Sequence, residues 1–90
     1  MAHLSDNADL LARVRRVAGQ LNAVERGLAG GMDCADLLQL VAAVRGAVGT
    51  LMDEIVARHL EEHVARPGLT DAERSQGAAE VMAAVRRYAR

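Results

Sequence analysis

His59 and His63 stand four residues apart, the spacing at which two side chains share one face of an α-helix and both imidazoles can reach one ion. Cys34 is the only thiol in the chain. It follows Asp33, a residue type that caps helices, and so falls in a first turn, where the positive end of the helix dipole favours thiolate, the form that binds metals. The remaining histidine, His3, lies near the N-terminus. Loss of Met1 would leave an amine, a backbone amide and the His3 imidazole in chelating order; with Met1 retained, the amine-X-X-His arrangement is itself a chelate for Cu(II) or Ni(II). Paired histidines also decorate helix surfaces, and a lone cysteine also serves as a small hydrophobe. In combination, one thiolate and two or three imidazoles form a borderline donor set that suits Ni(II), Co(II) or Zn(II), whereas Cu(I) is better served by more sulfur. Glu62, next to His63, or the terminal amine would raise the coordination number toward the octahedron that Ni(II) and Co(II) accept.

The spacing carries a geometric consequence. Cys34 and His59 are separated by 25 residues, which on one continuous helix is roughly 37 Å at 1.5 Å per residue. They cannot share an ion within one chain unless the helix folds back. Two copies of the helix packed antiparallel would bring Cys34 of one to the His59 and His63 end of the other, giving symmetric sites in a homodimer.

The elements that must position these residues are helical. Leu10, Val14, Val17, Leu21, Val24 and Leu28 recur at alternating spacings of four and three residues, with Ser5 and Asp6 offering N-caps and Gly30-Gly31 stopping the run. The pattern predicts helix 1 over about 6–29, after a flexible tail at 1–5. Asp33, with Asp36 three residues on, opens helix 2 over about 34–65, where Leu37, Val41, Val44, Val48, Leu51 and Ile55 repeat the spacing until Pro67-Gly68. Thr70-Asp71-Ala72-Glu73 is a capping box that opens helix 3 over about 71–88, with Ala78, Val81, Met82, Val85 and Tyr88 on its apolar face. The expected fold is all-α, one three-helix domain over 1–90.

Composition narrows the function. The apolar half of the chain is almost entirely Ala, Val and Leu, with no Phe or Trp, which suits close-packed helices and leaves no strand signal. Ninety residues bury a modest fraction of their surface, so partner subunits are expected. There is no nucleophile-base pair beyond the residues above, no glycine-rich phosphate loop and no paired buried carboxylates, so an enzyme is not expected. A single cysteine, no cleavable apolar leader and no long apolar span point to a reducing cytosol and no membrane. Net charge is −1, so any nucleic-acid contact must come from a local patch. All 11 basic residues are Arg, and Arg13, Arg15 and Arg16 cluster on helix 1, with Arg45 on helix 2. Such clusters commonly serve solubility, but a tetramer would array several on one face able to bind phosphate by counterion release.

These residues also carry a resemblance. Arg13-Val-Arg-Arg-Val-Ala-Gly-Gln20, Cys34, Ala42-Ala-Val-Arg-Gly-Ala47 and His59-Leu-Glu-Glu-His63 resemble the CsoR/RcnR/FrmR family of metal- or formaldehyde-sensing repressors, over about residues 10 to 66. The resemblance implies a dimer built on an antiparallel four-helix bundle, a tetramer formed as a dimer of dimers, a metal site shared between protomers, and repression of efflux or detoxification genes through operator DNA. It places Gln20 with the arginines among the DNA-binding residues, and Glu80 as a carboxylate supporting the metal ligands. The set His3, Cys34, His59 and His63 is most similar to the nickel/cobalt branch, with His3 one place off register. The copper branch typically has a cysteine where this chain has His63. The formaldehyde branch resembles the chain in its Arg-rich helix but usually has proline where this chain has Ala2, and there Cys34 and the N-terminal amine would be bridged by one carbon.

Overall fold

The structure, a computed structural model, describes residues 7–88. Among these it contains three α-helices and no strand: α1 at Ala8–Ala29, α2 at Cys34–His63 and α3 at Asp71–Tyr88. Two compact units divide the described residues within α2, at Asn7–Asp53 and at 54–88. Asn7 precedes α1, its carbonyl accepting the Leu11 amide at 2.9 Å, and contributes no side-chain cap. Ser5 and Asp6, the caps expected from sequence, lie outside the described residues, as does the tail at 1–5.

In the first unit, α1 closes through a left-handed glycine. Gly31 has φ +73°, and the amides of Gly30 and Met32 return to the carbonyls of Arg26 and Gly27 at 2.9 and 2.8 Å. The second of these is the six-to-one bond of a Schellman turn, and the Met32 side chain folds back over Gly27, where an added Cβ would lie 3.0 Å from its sulfur. Asp33 then caps α2, its carboxylate accepting the Ala35 amide at 3.1 Å. Cys34 is therefore the first residue of a helix whose start is fixed from both sides.

The apolar stripes of this hairpin have two edges. Leu10, Val17 and Val24 on α1, and Leu37, Val44 and Leu51 on α2, recur every seventh residue and are buried or half-buried. Their alternates Val14, Leu21, Leu28, Val41 and Val48 recur with the same period and are exposed, Leu21 by 52% and Leu28 by 64%. Only Leu10 and Val44 reach core burial, at 5% and 9%. A seven-residue repeat whose second edge stays uncovered is the pattern of a helix pair with one side turned to further helices.

In the second unit, α2 ends at His63 rather than near residue 65, because the amides of Val64 and Ala65 both return to the Leu60 carbonyl, at 3.1 and 2.7 Å. Pro67 and Gly68, the latter at φ +86°, turn the chain. Thr70 and Glu73 form the reciprocal capping box: the Thr70 amide donates to Glu73 Oε1 at 2.9 Å, and the Glu73 amide donates to Thr70 Oγ1 at 3.1 Å. Arg74 Nη1 ties α3 back by donating to the Val64 carbonyl.

Two outcomes follow for stability. Gly31→Ala forces a side chain into the left-handed region and is expected to lower unfolding free energy by about 1 kcal/mol in chemical denaturation. The Thr70 amide first, then its hydroxyl and the nearby Arg66, hold the Glu73 carboxyl below its usual range. A lowered folded value means the box contributes stability fully above the ordinary carboxylate range and loses it as pH falls through that lowered value. Glu73→Gln is expected to flatten that part of the acid branch when denaturation midpoints are plotted against pH.

Candidate functional site

The last turns of α2 bring His59 and His63 together, ring centroids 4.9 Å apart and planes tilted by 49°. The four-residue spacing sets this directly. His59 is 17% exposed, with Nε2 lying 3.1 Å from the Gly77 carbonyl oxygen and 3.4 Å from Glu80 Oε1. A carbonyl oxygen only accepts, so Nε2 donates to Gly77. Glu80 is thus brought from α3 to the imidazole pair, 21 residues along the chain from His59. Glu62 and His63 line an open groove in the same unit, with Arg66, Glu73, Gln76 and Glu80.

Cys34 is an exposed free thiol at the opposite end of α2. The helix is unbroken over its 30 residues, a length of about 45 Å. Among the described residues, no group of three or more His, Cys, Asp or Glu side chains is placed to hold a metal ion. His59 and His63 are therefore brought together with Glu80, and Cys34 belongs to the other compact unit. His3 lies outside the described residues.

The arginine cluster divides. Arg13, Arg16 and Gln20 share one face of α1 and, with Val17, Ala47 and Thr50, line a groove in the first unit. Gln20 Oε1 is buried there without a hydrogen-bond partner among the described residues. Arg13 is half-buried and Arg16 exposed. Arg15, two residues from Arg13, falls roughly 160° around the helix, and neither it nor the exposed Arg45 lines the groove. Sequence reasoning missed Thr50 and Gly77. Thr50 carries no signal beyond its helical register relative to Ala47. Gly77 does carry one: a glycine inside a helix, away from either cap, weakens the helix by roughly 1 kcal/mol relative to Ala and marks a close approach.

Over residues 6–87 the chain matches the family described as metal-sensitive transcriptional repressor. It is 45% identical over 83 residues to an uncharacterized protein from the bioA 5′ region of Serratia marcescens, covering 92% of this chain and 91% of that one. It is 41% identical over 69 residues to a transcriptional repressor RcnR homolog of Escherichia coli, covering 76% and 77% of the two chains. Among solved structures it is similar to a glutamate-to-histidine variant of the formaldehyde-responsive regulator FrmR from Salmonella enterica serovar Typhimurium, with a TM-score of 0.87 and 40% identity over 97% of this chain and 99% of that one. Among the described residues, no helix is long and apolar enough to cross a membrane.

The orphaned Gln20 carbonyl gives a further expected outcome. A buried acceptor with no partner is a liability of about 1 kcal/mol or more, so Gln20→Met is expected to leave thermal stability unchanged or raised, as read by the unfolding midpoint of the free protein.

Proposed function

This chain belongs to the metal-sensitive transcriptional repressor family, whose members are not enzymes, and from that premise we propose that it grips operator DNA without metal and releases it when a transition-metal ion binds. The ligands are Cys34 of one protomer and His59 and His63 of another, with His3 as a fourth, and the ion is Ni(II) or Co(II) ahead of Zn(II) or Cu(I). Release derepresses efflux genes in the cytoplasm. One observation carries this reading: two paired imidazoles end the same unbroken helix that the single thiol begins. A thiolate and two imidazoles suit a borderline cation, but sulfur and nitrogen can meet only if a second copy lies head to tail.

The exposed edge of the hairpin supports that second copy. Val14, Leu21, Leu28, Val41 and Val48 are uncovered in one protomer, and covering each contributes on the order of 1 kcal/mol. An antiparallel four-helix-bundle dimer covers them, and two dimers make the homotetramer. When bound, the cation supplies a cross-link between the start of α2 in one subunit and its end in another. Glu80 stands beside the His59 ring, its Oε1 3.4 Å from Nε2, and Glu62 adjoins His63 as a supporting carboxylate.

DNA is held by Arg13, Arg16 and Gln20 in their shared groove, with Arg15 and Arg45 contributing phosphate contacts from neighbouring faces. The two states differ in DNA affinity by a coupling of roughly 1 to 3 kcal/mol. The formaldehyde-responsive reading stands second, favoured by the likeness to FrmR. In that reading Cys34 and the N-terminal amine are joined by a methylene bridge.

Titration of a preformed protein-DNA complex with Ni(II), Co(II), Zn(II), Cu(I) and formaldehyde tests the reading. Release by a metal ion, with no stable methylene adduct by mass spectrometry, is expected; release by formaldehyde alone moves the assignment to the second reading, and release by none removes the sensor function. The paired variant Arg13→Ala with Arg16→Ala is expected to weaken DNA binding and to flatten its salt dependence by about 0.9 in log-log slope for each phosphate that the variant no longer neutralises. A mixed dimer of Cys34→Ala and His59→Ala chains is expected to keep one intact metal site; a mixed dimer with none, or with two, contradicts sharing between protomers.

A further inference from the structure

We infer that Gly77 is a positioning residue that fixes His59 as the Nε2–H tautomer, leaving Nδ1 as the nitrogen open to a cation; the second half of that statement rests on the metal reading above. Nε2 faces two groups, the Gly77 carbonyl at 3.1 Å and Glu80 Oε1 at 3.4 Å. A carboxylate can be protonated or can swing away, and Glu80 is 38% exposed. A helix carbonyl can do neither. Inside α3 the Gly77 oxygen spends one lone pair on the helix ladder, and its second is free to take the imidazole proton. A neutral ring whose Nε2 carries the proton keeps its lone pair on Nδ1, and the partner of one ring nitrogen decides which is left to bind.

Only glycine permits this approach. A Cβ at position 77 would collide with the His63 carbonyl oxygen and lie 2.8 Å from the His63 carbonyl carbon and 3.0 Å from its Cβ. Two of these three are main-chain atoms in the final turn of α2 and cannot rotate out of the way. Any side chain at 77 must push α3 outward and draw its carbonyl off His59. The same residue that orients one imidazole thus also packs against the backbone of the other, setting where both stand.

The test uses full-length apo-protein with 15N-labelled histidine, read by long-range proton-nitrogen correlation at a pH where the imidazoles are neutral. His59 is expected as the Nε2–H tautomer, and to remain so in Glu80→Gln, because the carbonyl still accepts. In Gly77→Ala the His59 signal is expected to shift toward a mixture of tautomers, with Co(II) and Ni(II) bound roughly tenfold to a hundredfold more weakly. An Nδ1–H tautomer in the apo-protein overturns the inference, as does its appearance in Glu80→Gln, or a Gly77→Ala protein that keeps both the tautomer and the affinity. If Gly77→Ala does not fold, the unsubstituted protein and Glu80→Gln still decide. A protein that shows the expected tautomers but binds neither metal supports the role of Gly77 and removes the metal reading alone.

Discussion

The length of α2 is the constraint from which the rest follows. Thirty residues of unbroken helix hold the only thiol at one end and two imidazoles at the other. In the proposed reading the chain presents half of a donor set at each end of that helix and completes neither. The same helix carries an apolar edge, with Val41 and Val48 exposed, that one protomer leaves uncovered. The antiparallel second copy proposed above would remedy both deficits at once. On that proposal, assembly and ligand binding are a single physical event rather than two properties side by side.

The helix ends, rather than a deep core, hold the candidate site residues in place. Only two apolar side chains are buried among the described residues, but each terminus near the candidate ligands is tied by specific bonds. Asp33 and the Schellman turn through Gly31 determine where Cys34 begins α2. The Thr70–Glu73 box starts α3 in register, and α3 returns Gly77 and Glu80 to the end of α2. Caps of this kind contribute roughly 0.5 to 2 kcal/mol each, a large share of what a small protomer with so little core can hold.

Much of this was legible in the sequence, for identifiable reasons. The helices announced themselves through punctuation that acts locally: paired glycines at 30 and 31, Asp33, Pro67-Gly68 and the Thr70–Glu73 box. The His59/His63 pair was legible because its geometry is set by helical pitch alone. Three things were not. The stripes of α1 and α2 read as one seam each, although every second member faces outward, because periodicity reports that a position is apolar and not what covers it. The arginines read as one cluster, although rotation along the helix sets Arg15 apart from Arg13 and Arg16. Gly77 drew no reading, because its value lies in a close approach to the backbone of His63, 14 residues earlier, that no local pattern records.

Head-to-tail pairing of α2 is tested most directly by an interchain distance. Spin labels on Cys34 of one chain and on a His63→Cys, Cys34→Ala second chain report, by pulsed dipolar spectroscopy, only the separation between subunits. Within one helix these positions are separated by roughly 44 Å of rise. Antiparallel pairing brings the two labels far closer than that across the dimer. A shortest interchain separation as long as the helix itself means that sulfur and imidazole never meet, and contradicts the shared site.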